Sequence, residues 1–167
     1  MEIRRGRKEE AAALEDVFTR AARAGWSTFL PRAWFDGFDA SRAKLLEALT
    51  REDGAEVLVA ERDGTIEGFT VIRPSQDPDA APGVGELHMA FTDPGVWGAG
   101  VGRALLEATT ELLRAAGFRE ATLWTAEANE RPRRVYESAG WVPDGATRER
   151  TIRGATWPEL RYRRGLG

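Results

Sequence analysis

The stretch VWGAGVGRALL, Val96 to Leu106, carries glycines at 98, 100 and 102 and then runs directly into helix-forming residues. Glycine destabilises helix and strand interiors, so a cluster of them at a helix start implies a group that must come close to the backbone. An expected strand, Gly85 to Thr92, precedes the turn. Strand, glycine turn and helix start together suit an anion. The unpaired N–H groups of the first helical turn and the positive end of the helix dipole face it, and the missing side chains admit it to hydrogen-bond distance. The candidate is a pyrophosphate. A P-loop would need Lys and then Ser or Thr after the last glycine, where this chain has Arg103 and Ala104. A dinucleotide fingerprint would need a further glycine where Arg103 stands. Read from spacing alone, a phosphate cradle and an unliganded glycine-rich turn fit equally well.

Composition narrows the chemistry around this turn. The 167 residues, 42% of them hydrophobic, with a net charge of −3, suit one soluble globular domain over 1–167 with a sizeable core. Lys and Arg number 24 against 27 Asp and Glu, which gives no basic excess to attract nucleic acid or an anionic membrane. The absence of cysteine excludes disulfides, thiolate zinc sites and a Cys nucleophile, and a single histidine, His88, excludes a His-rich metal site; no metal is expected. The N-terminus MEIRRGRKEEAAALEDV places charges where a signal peptide needs an apolar core, and no run approaches the ~18 apolar residues of a membrane span. A cytoplasmic location without a membrane partner is the expectation.

The elements that must position the turn follow from periodicity. MEIRR reads as a strand, and Lys8 to Ala24 as a helix with its apolar stripe at Leu14, Val17, Phe18, Ala21 and Ala22, stopped by Gly25. The aromatic segment GWSTFLPRAWFDGF leads to a second helix, about Ala40 to Thr50. AEVLVAERDGTIEGFTVIRP reads as a hairpin turning at Asp63-Gly64. After the loop PSQDPDAAPG comes the strand GELHMAFTDP, whose alternation puts Glu86, His88 and Ala90 on one face and Leu87, Met89 and Phe91 on the other. A helix from Val101 to Ala116 is followed by the strand REATLWTAE, a short helix in NERPRRVYESAG, and antiparallel strands in WVPDG, ATRERTIRG and WPELRYRRGL. A mostly antiparallel first half followed by a strand-helix-strand unit predicts an α+β fold, a mixed sheet flanked by helices.

Two of these segments, LHMAFTDPGVWGAGVGRALLEATTELLRAAGF and LWTAEANERPRRVYESAGW, resemble the two central motifs of the GNAT superfamily of acetyl-CoA-dependent N-acyltransferases. The first is similar to that family's pyrophosphate loop, Arg/Gln-x-x-Gly-x-Gly/Ala, with Trp97 in the usual Arg/Gln place. The second is similar to its Asn-x-Arg-Ala-x-x-x-Tyr-Glu-x-x-Gly-Phe signature, with Pro132 for Ala and Trp141 for Phe. The resemblance implies acetyl-CoA as co-substrate, with Gly98, Ala99, Gly100, Val101, Gly102 and Arg103 holding the pyrophosphate. Ala90, Phe91 and Thr92 would pair through their backbone with the pantetheine arm, and Asn129 would contact it from the other side. Arg131, Arg133 and Arg134 are within reach of the phosphates or form a solvated basic face.

Acyl transfer from a thioester to an amine needs a deprotonated amine, stabilisation of the developing oxyanion and a proton for the departing thiolate. Tyr136, seven residues after Asn129, stands where the family's tyrosine lies near the sulfur. A phenol of reference pKa about 10 carries the proton at neutral pH. Glu86, six residues before Thr92, stands where several family members carry a general base, and His88 is a rival base with a better-placed reference pKa. A satisfied tyrosine, a solvated carboxylate and a structural histidine are the bland counterparts. The acceptor is expected to be a small-molecule or peptide amine lying against GWSTFLPRAWFDGF. Trp26, Phe29, Trp34, Phe35 and Phe38 there could wall an aromatic pocket, and Asp36 and Asp39 could hold an ammonium. The alternative is a catalytically silent module that binds acyl-CoA and regulates; a homodimer stays open in either case.

Overall fold

The computed structural model describes residues 1–167. The chain runs β1 (Glu2–Arg5), α1 (Ala11–Trp26), α2 (Arg42–Leu49), β2 (Glu56–Arg62), β3 (Thr65–Pro74), β4 (Val84–Thr92), α3 (Val101–Ala115), β5 (Glu120–Ala126), α4 (Glu130–Ser138), β6 (Val142–Ile152) and β7 (Ala155–Gly165). One seven-stranded sheet has the order β1-β2-β3-β4-β5-β7-β6, and only β4 and β5 are parallel. This is the expected α+β fold. Both hairpins turn on a pair of residues with positive φ, Asp63-Gly64 at 50° and 79° and Arg153-Gly154 at 50° and 80°, the backbone twist that matches two antiparallel strands.

Two expectations need correction. Gly25 does not stop α1, which continues to Trp26, because no left-handed residue interrupts its ladder there. WVPDG and ATRERTIRG are not separate strands: they form the single strand β6, whose register against β7 slips between Pro143 and Thr147. The slip turns Asp144 toward β7, where its Oδ2 accepts from Arg161 Nε at 2.7 Å.

The sheet is packed on both faces. On one, Leu105 and Leu113 of α3 meet Leu87, Leu123 and Tyr162; on the other, Leu14 and Val17 of α1 and Leu45 of α2 meet Val59 and Phe69. Each such side chain taken fully out of water contributes about 1.5–3 kcal/mol. α3 lies close because two sheet residues lack side chains. A Cβ on Gly68 would sit 2.9 Å from Leu105 Cδ1, and one on Gly85 would sit 2.8 Å from Leu113 Cδ2. The amphipathic stripe of α3 thus fixes where its N-terminus, and the glycine turn before it, must stand. No helix is long and apolar enough to cross a membrane.

Candidate active site

The parallel pairing of β4 with β5 lasts only from Val84↔Glu120 to Glu86↔Thr122. Beyond it each strand keeps its outer partner, β3 as far as Thr92 and β7 as far as Ala126. From Leu87 and Leu123 onward the two facing edges therefore have no ladder partner, and the sheet opens into a V. A cavity of about 850 Å³ fills the opening, with Ala90, Phe91, Thr92, Gly102, Asn129 and Tyr136 in its wall. The backbone of Ala90 to Thr92 lies on this free edge, so its N–H and C=O groups can pair with an extended ligand as a further strand would.

The glycine turn stands at the mouth. Gly98 and Gly100 have φ of 82° and 85°, a conformation that favours glycine, and Gly100 is the N-cap of α3. A Cβ at either would meet no protein atom within 4 Å, and one at Gly102 would meet only Thr92 Cγ2 at 3.7 Å. No packing within the protein thus requires a glycine at 102, and a glycine there costs helix stability. The chain keeps open space over its first helical N–H groups, as an anion needs. The Val101 side chain is buried in the core, so only its amide faces out, and Arg103 is exposed and paired with Glu107. Asp93 fastens the turn: its Oδ1 accepts from Gly95 N at 2.9 Å and its Oδ2 from Arg20 of α1 at 2.7 Å.

Tyr136, the one buried residue of α4, lines the cavity. Burial alone pushes its phenol up to about 12, so it holds its proton throughout the neutral range. Asn129 is the N-cap of α4 but its side chain makes no capping bond, which leaves its amide for the cavity. The neighbouring arginines divide. Arg131 lies over the Trp97 ring, Arg133 donates to the Tyr162 hydroxyl at 3.0 Å and to the Glu127 carbonyl at 2.7 Å, and Arg134 faces Glu130.

The face assignment on β4 is corrected by a bulge. Val71 pairs with Met89 but Ile72 pairs with Leu87, so His88 has no partner on β3. One extra residue shifts the phase of a strand by one side chain. Met89 and Phe91 therefore pack on the α1/α2 side with Phe69, while Leu87 and Ala90 pack on the α3 side. Glu86, His88 and Ala90 do not share a face, although all three line the cavity. Glu86 is buried, and its Oε2 accepts from Arg73 Nε at 2.7 Å. His88 is pushed down to about 4, first by burial and then by the positive charges of Arg73, Arg150, Lys44 and Arg148. It is a neutral imidazole at neutral pH.

The aromatic loop contributes less than its composition predicts. Trp34, Phe35 and Phe38 are buried in a cluster with Trp157, and Asp36 and Asp39 are exposed outside the cavity; Trp26 alone of these residues reaches its wall. What sequence reasoning missed comes from β3, the loop after it and the β6–β7 hairpin: Arg73, Gln76, Arg148, Arg150, Trp157 and Glu159 also line the cavity. The available signal was the alternation Arg148, Arg150, Ile152 on β6, which puts these side chains on one face.

An opened parallel strand pair, a glycine turn at a helix start and a tyrosine at the junction are the arrangement that the sequence motifs imply. The family model described as Acetyltransferase (GNAT) family matches residues 12–141. The chain belongs to this family. Among curated relatives, the mycothiol acetyltransferase of Cellulomonas flavigena is 40% identical over 95 residues, 54% of this chain and 27% of that protein. That of Sanguibacter keddieii is 37% identical over 91 residues, 54% of this chain and 29% of that protein. The match therefore spans less than a third of these relatives' length. Among solved structures, the PaiA N-acetyltransferase from Thermoplasma acidophilum in complex with coenzyme A superposes with a TM-score of 0.79 at 18% identity, covering 98% of each chain. The yncA protein from Salmonella typhimurium, a putative acetyltransferase with its cofactor acetyl-CoA, superposes with a TM-score of 0.78 at 21% identity, covering 100% of this chain and 94% of that one. At these identities the likeness is one of fold, and it extends GNAT architecture over the whole chain, beyond the matched motifs.

Proposed function

We propose that this GNAT-family chain is an N-acetyltransferase that moves the acetyl group of acetyl-CoA directly to an amine within a ternary complex, in the cytoplasm. The opening between β4 and β5 carries the reading. It combines a free strand edge for an extended arm, an open helix start for a diphosphate, and Tyr136 and Glu86 in the wall of one cavity. Bound acetyl-CoA would supply an activated acyl group as a thioester. The amides of the turn from Gly98 to Arg103 hold the diphosphate, the edge from Ala90 to Thr92 pairs with the pantetheine, and Asn129 contacts it from α4. Amides on the free edge of β4, beside the bulge at His88, supply hydrogen-bond donors toward the acyl oxygen.

Two side chains serve the protons. Tyr136 donates a hydrogen bond to the departing sulfur. With its phenol at about 12 it is a weaker acid than a thiol of reference pKa about 8.5, so its main effect is to stabilise the thiolate as the C–S bond breaks. Glu86, paired with Arg73, draws the acceptor ammonium and takes its proton through water before the free amine attacks the acyl carbon; the second N–H proton passes to solvent as the C–S bond breaks and the thiolate leaves. The cations that lower His88 also lower the amine's own pKa, which helps it to arrive neutral. His88 is too weakly basic to compete at neutral pH.

The test is a panel of amines and peptides screened for free-thiol release from acetyl-CoA. Amine-dependent release supports the reading. Tight acetyl-CoA binding with no release from any acceptor would favour a silent binding module.

A further inference from the structure

Five arginines line the cavity, and four of them are already engaged. Arg73 is paired with Glu86 and Arg148 with Glu159, Arg134 faces Glu130, and Arg131 lies on Trp97. Arg148 additionally covers the Trp124 ring at 4.3 Å. The arginines just outside follow the same rule. Arg161 is held by Asp77, Asp79 and Asp144, Arg163 by Glu120 and Asp144, and Arg153 donates to the carbonyls of Asp36 and Gly37. Arg150 has no carboxylate, carbonyl or ring partner. It is the Cα partner of Trp157 on β7, and both line the cavity. It is exposed at the cavity wall, and its charge is one of those that hold His88 down. In the cavity wall, then, Glu86 and Glu159 balance Arg73 and Arg148, and one guanidinium is left over on the strand position paired with Trp157.

We propose that Arg150 is the subsite for a carboxylate on the acceptor, so that the amine substrate is an amino acid or a peptide with a free C-terminal carboxylate and an apolar body. This inference rests on the acetyltransferase reading and specifies its second substrate. One planar guanidinium matches the two oxygens of a carboxylate; a phosphate, with more charge, would call for further unpaired cations. The carboxylate neutralises this guanidinium, and the apolar body covers Trp157 and Trp26, which reach the cavity wall. The subsite selects against plain amines, which would leave Arg150 uncompensated and add a second positive charge to its field.

The experiment has two arms. In the first, thiol release from acetyl-CoA is measured with L-phenylalanine, its amide and phenethylamine, and with the dipeptide alanyl-phenylalanine in free and amidated forms. In the second, N-acetyl-L-phenylalanine and its amide are titrated calorimetrically into the CoA-saturated protein. Each is run on the parent, Arg150→Gln and Arg150→Lys, with CoA affinity as the folding control. The expected result is a preference of about tenfold in kcat/KM for free carboxylate over amide. That preference should be lost in Arg150→Gln and partly regained in Arg150→Lys, with the same order in the calorimetric arm. Comparison of amino acid with dipeptide identifies the source of the carboxylate. Equal turnover of acid and amide by the parent, or a preference untouched by Arg150→Gln, overturns the subsite and leaves acetyl transfer standing. No thiol release from any amine overturns the acetyltransferase reading, and the calorimetric discrimination then still decides whether Arg150 binds a carboxylate.

Discussion

The Arg131 guanidinium lies 4.6 Å from the centroid of the Trp97 ring, and Trp97 Nε1 donates to the Thr92 carbonyl at 3.0 Å. One side chain thus ties the end of β4 to the glycine turn and fixes a cation from α4 over it. Trp97 stands where the family's loop has Arg or Gln, and the tertiary structure returns a positive charge to that place from another element. Trp97→Phe keeps a ring under Arg131 but loses the bond to Thr92, and should lower stability by about 1 kcal/mol. Trp97→Leu should lose a further ~0.5–1 kcal/mol of cation–π attraction and bind acetyl-CoA more weakly than Trp97→Phe. Urea midpoints and calorimetric titration check both.

Gly102→Glu should separate binding from folding. Its Cβ meets only Thr92 Cγ2 at 3.7 Å, and a carboxylate in the first turn of a helix is favourable, so the melting temperature should hold or rise. The same carboxylate opposes a diphosphate, and CoA affinity should fall at least about tenfold. A folded variant that binds CoA like the parent would remove the turn from the binding site.

Tyr136→Phe should reduce kcat by about 10²-fold or more while leaving CoA affinity within about twofold, since the phenol is assigned to the departing sulfur. Stability should barely change, because burial is the sole influence on that hydroxyl within the protein. An unchanged kcat would make Tyr136 a packing residue.

Glu86→Gln and His88→Gln should differ in their pH–rate profiles. Loss of the carboxylate should depress the rate most at low pH, with partial recovery as solvent deprotonates the amine. His88, pushed down to about 4, is neutral over the working range, so His88→Gln should leave the profile above about pH 6 unaltered. The roles exchange if His88→Gln removes the acidic limb and Glu86→Gln spares it.

His88 should also make the fold sensitive to acid. Its folded pKa of about 4 lies below an unfolded value of about 6.5, so the unfolded chain binds the extra proton between these limits. Stability is fully present above about pH 6.5 and declines by up to about 3 kcal/mol as pH falls to about 4. Urea midpoints measured across that window should flatten in His88→Gln relative to the parent.

What the sequence determined by itself is local. Positive φ at Asp63-Gly64, the glycines before α3, the apolar stripes of α1 and α3 and the run from Asn129 to Tyr136 each depend on residues within a few positions of one another, so spacing alone placed the elements and the glycine turn. What the tertiary structure decided is pairing between distant segments. The bulge at His88 exists only because β3 and β4 meet in that register, and it moved residues that simple alternation had put together. The aromatic loop closed on Trp157 of the last hairpin, which turned most of an expected substrate wall into core. Arg150 stands free only because Glu86 and Glu159, from two other strands, were taken by Arg73 and Arg148. Backbone propensity acts over one or two turns of chain, whereas register and charge pairing are set by the packing of the whole sheet, so the glycine turn and its helix were legible in the sequence and the shape and charge of the cavity wall were not.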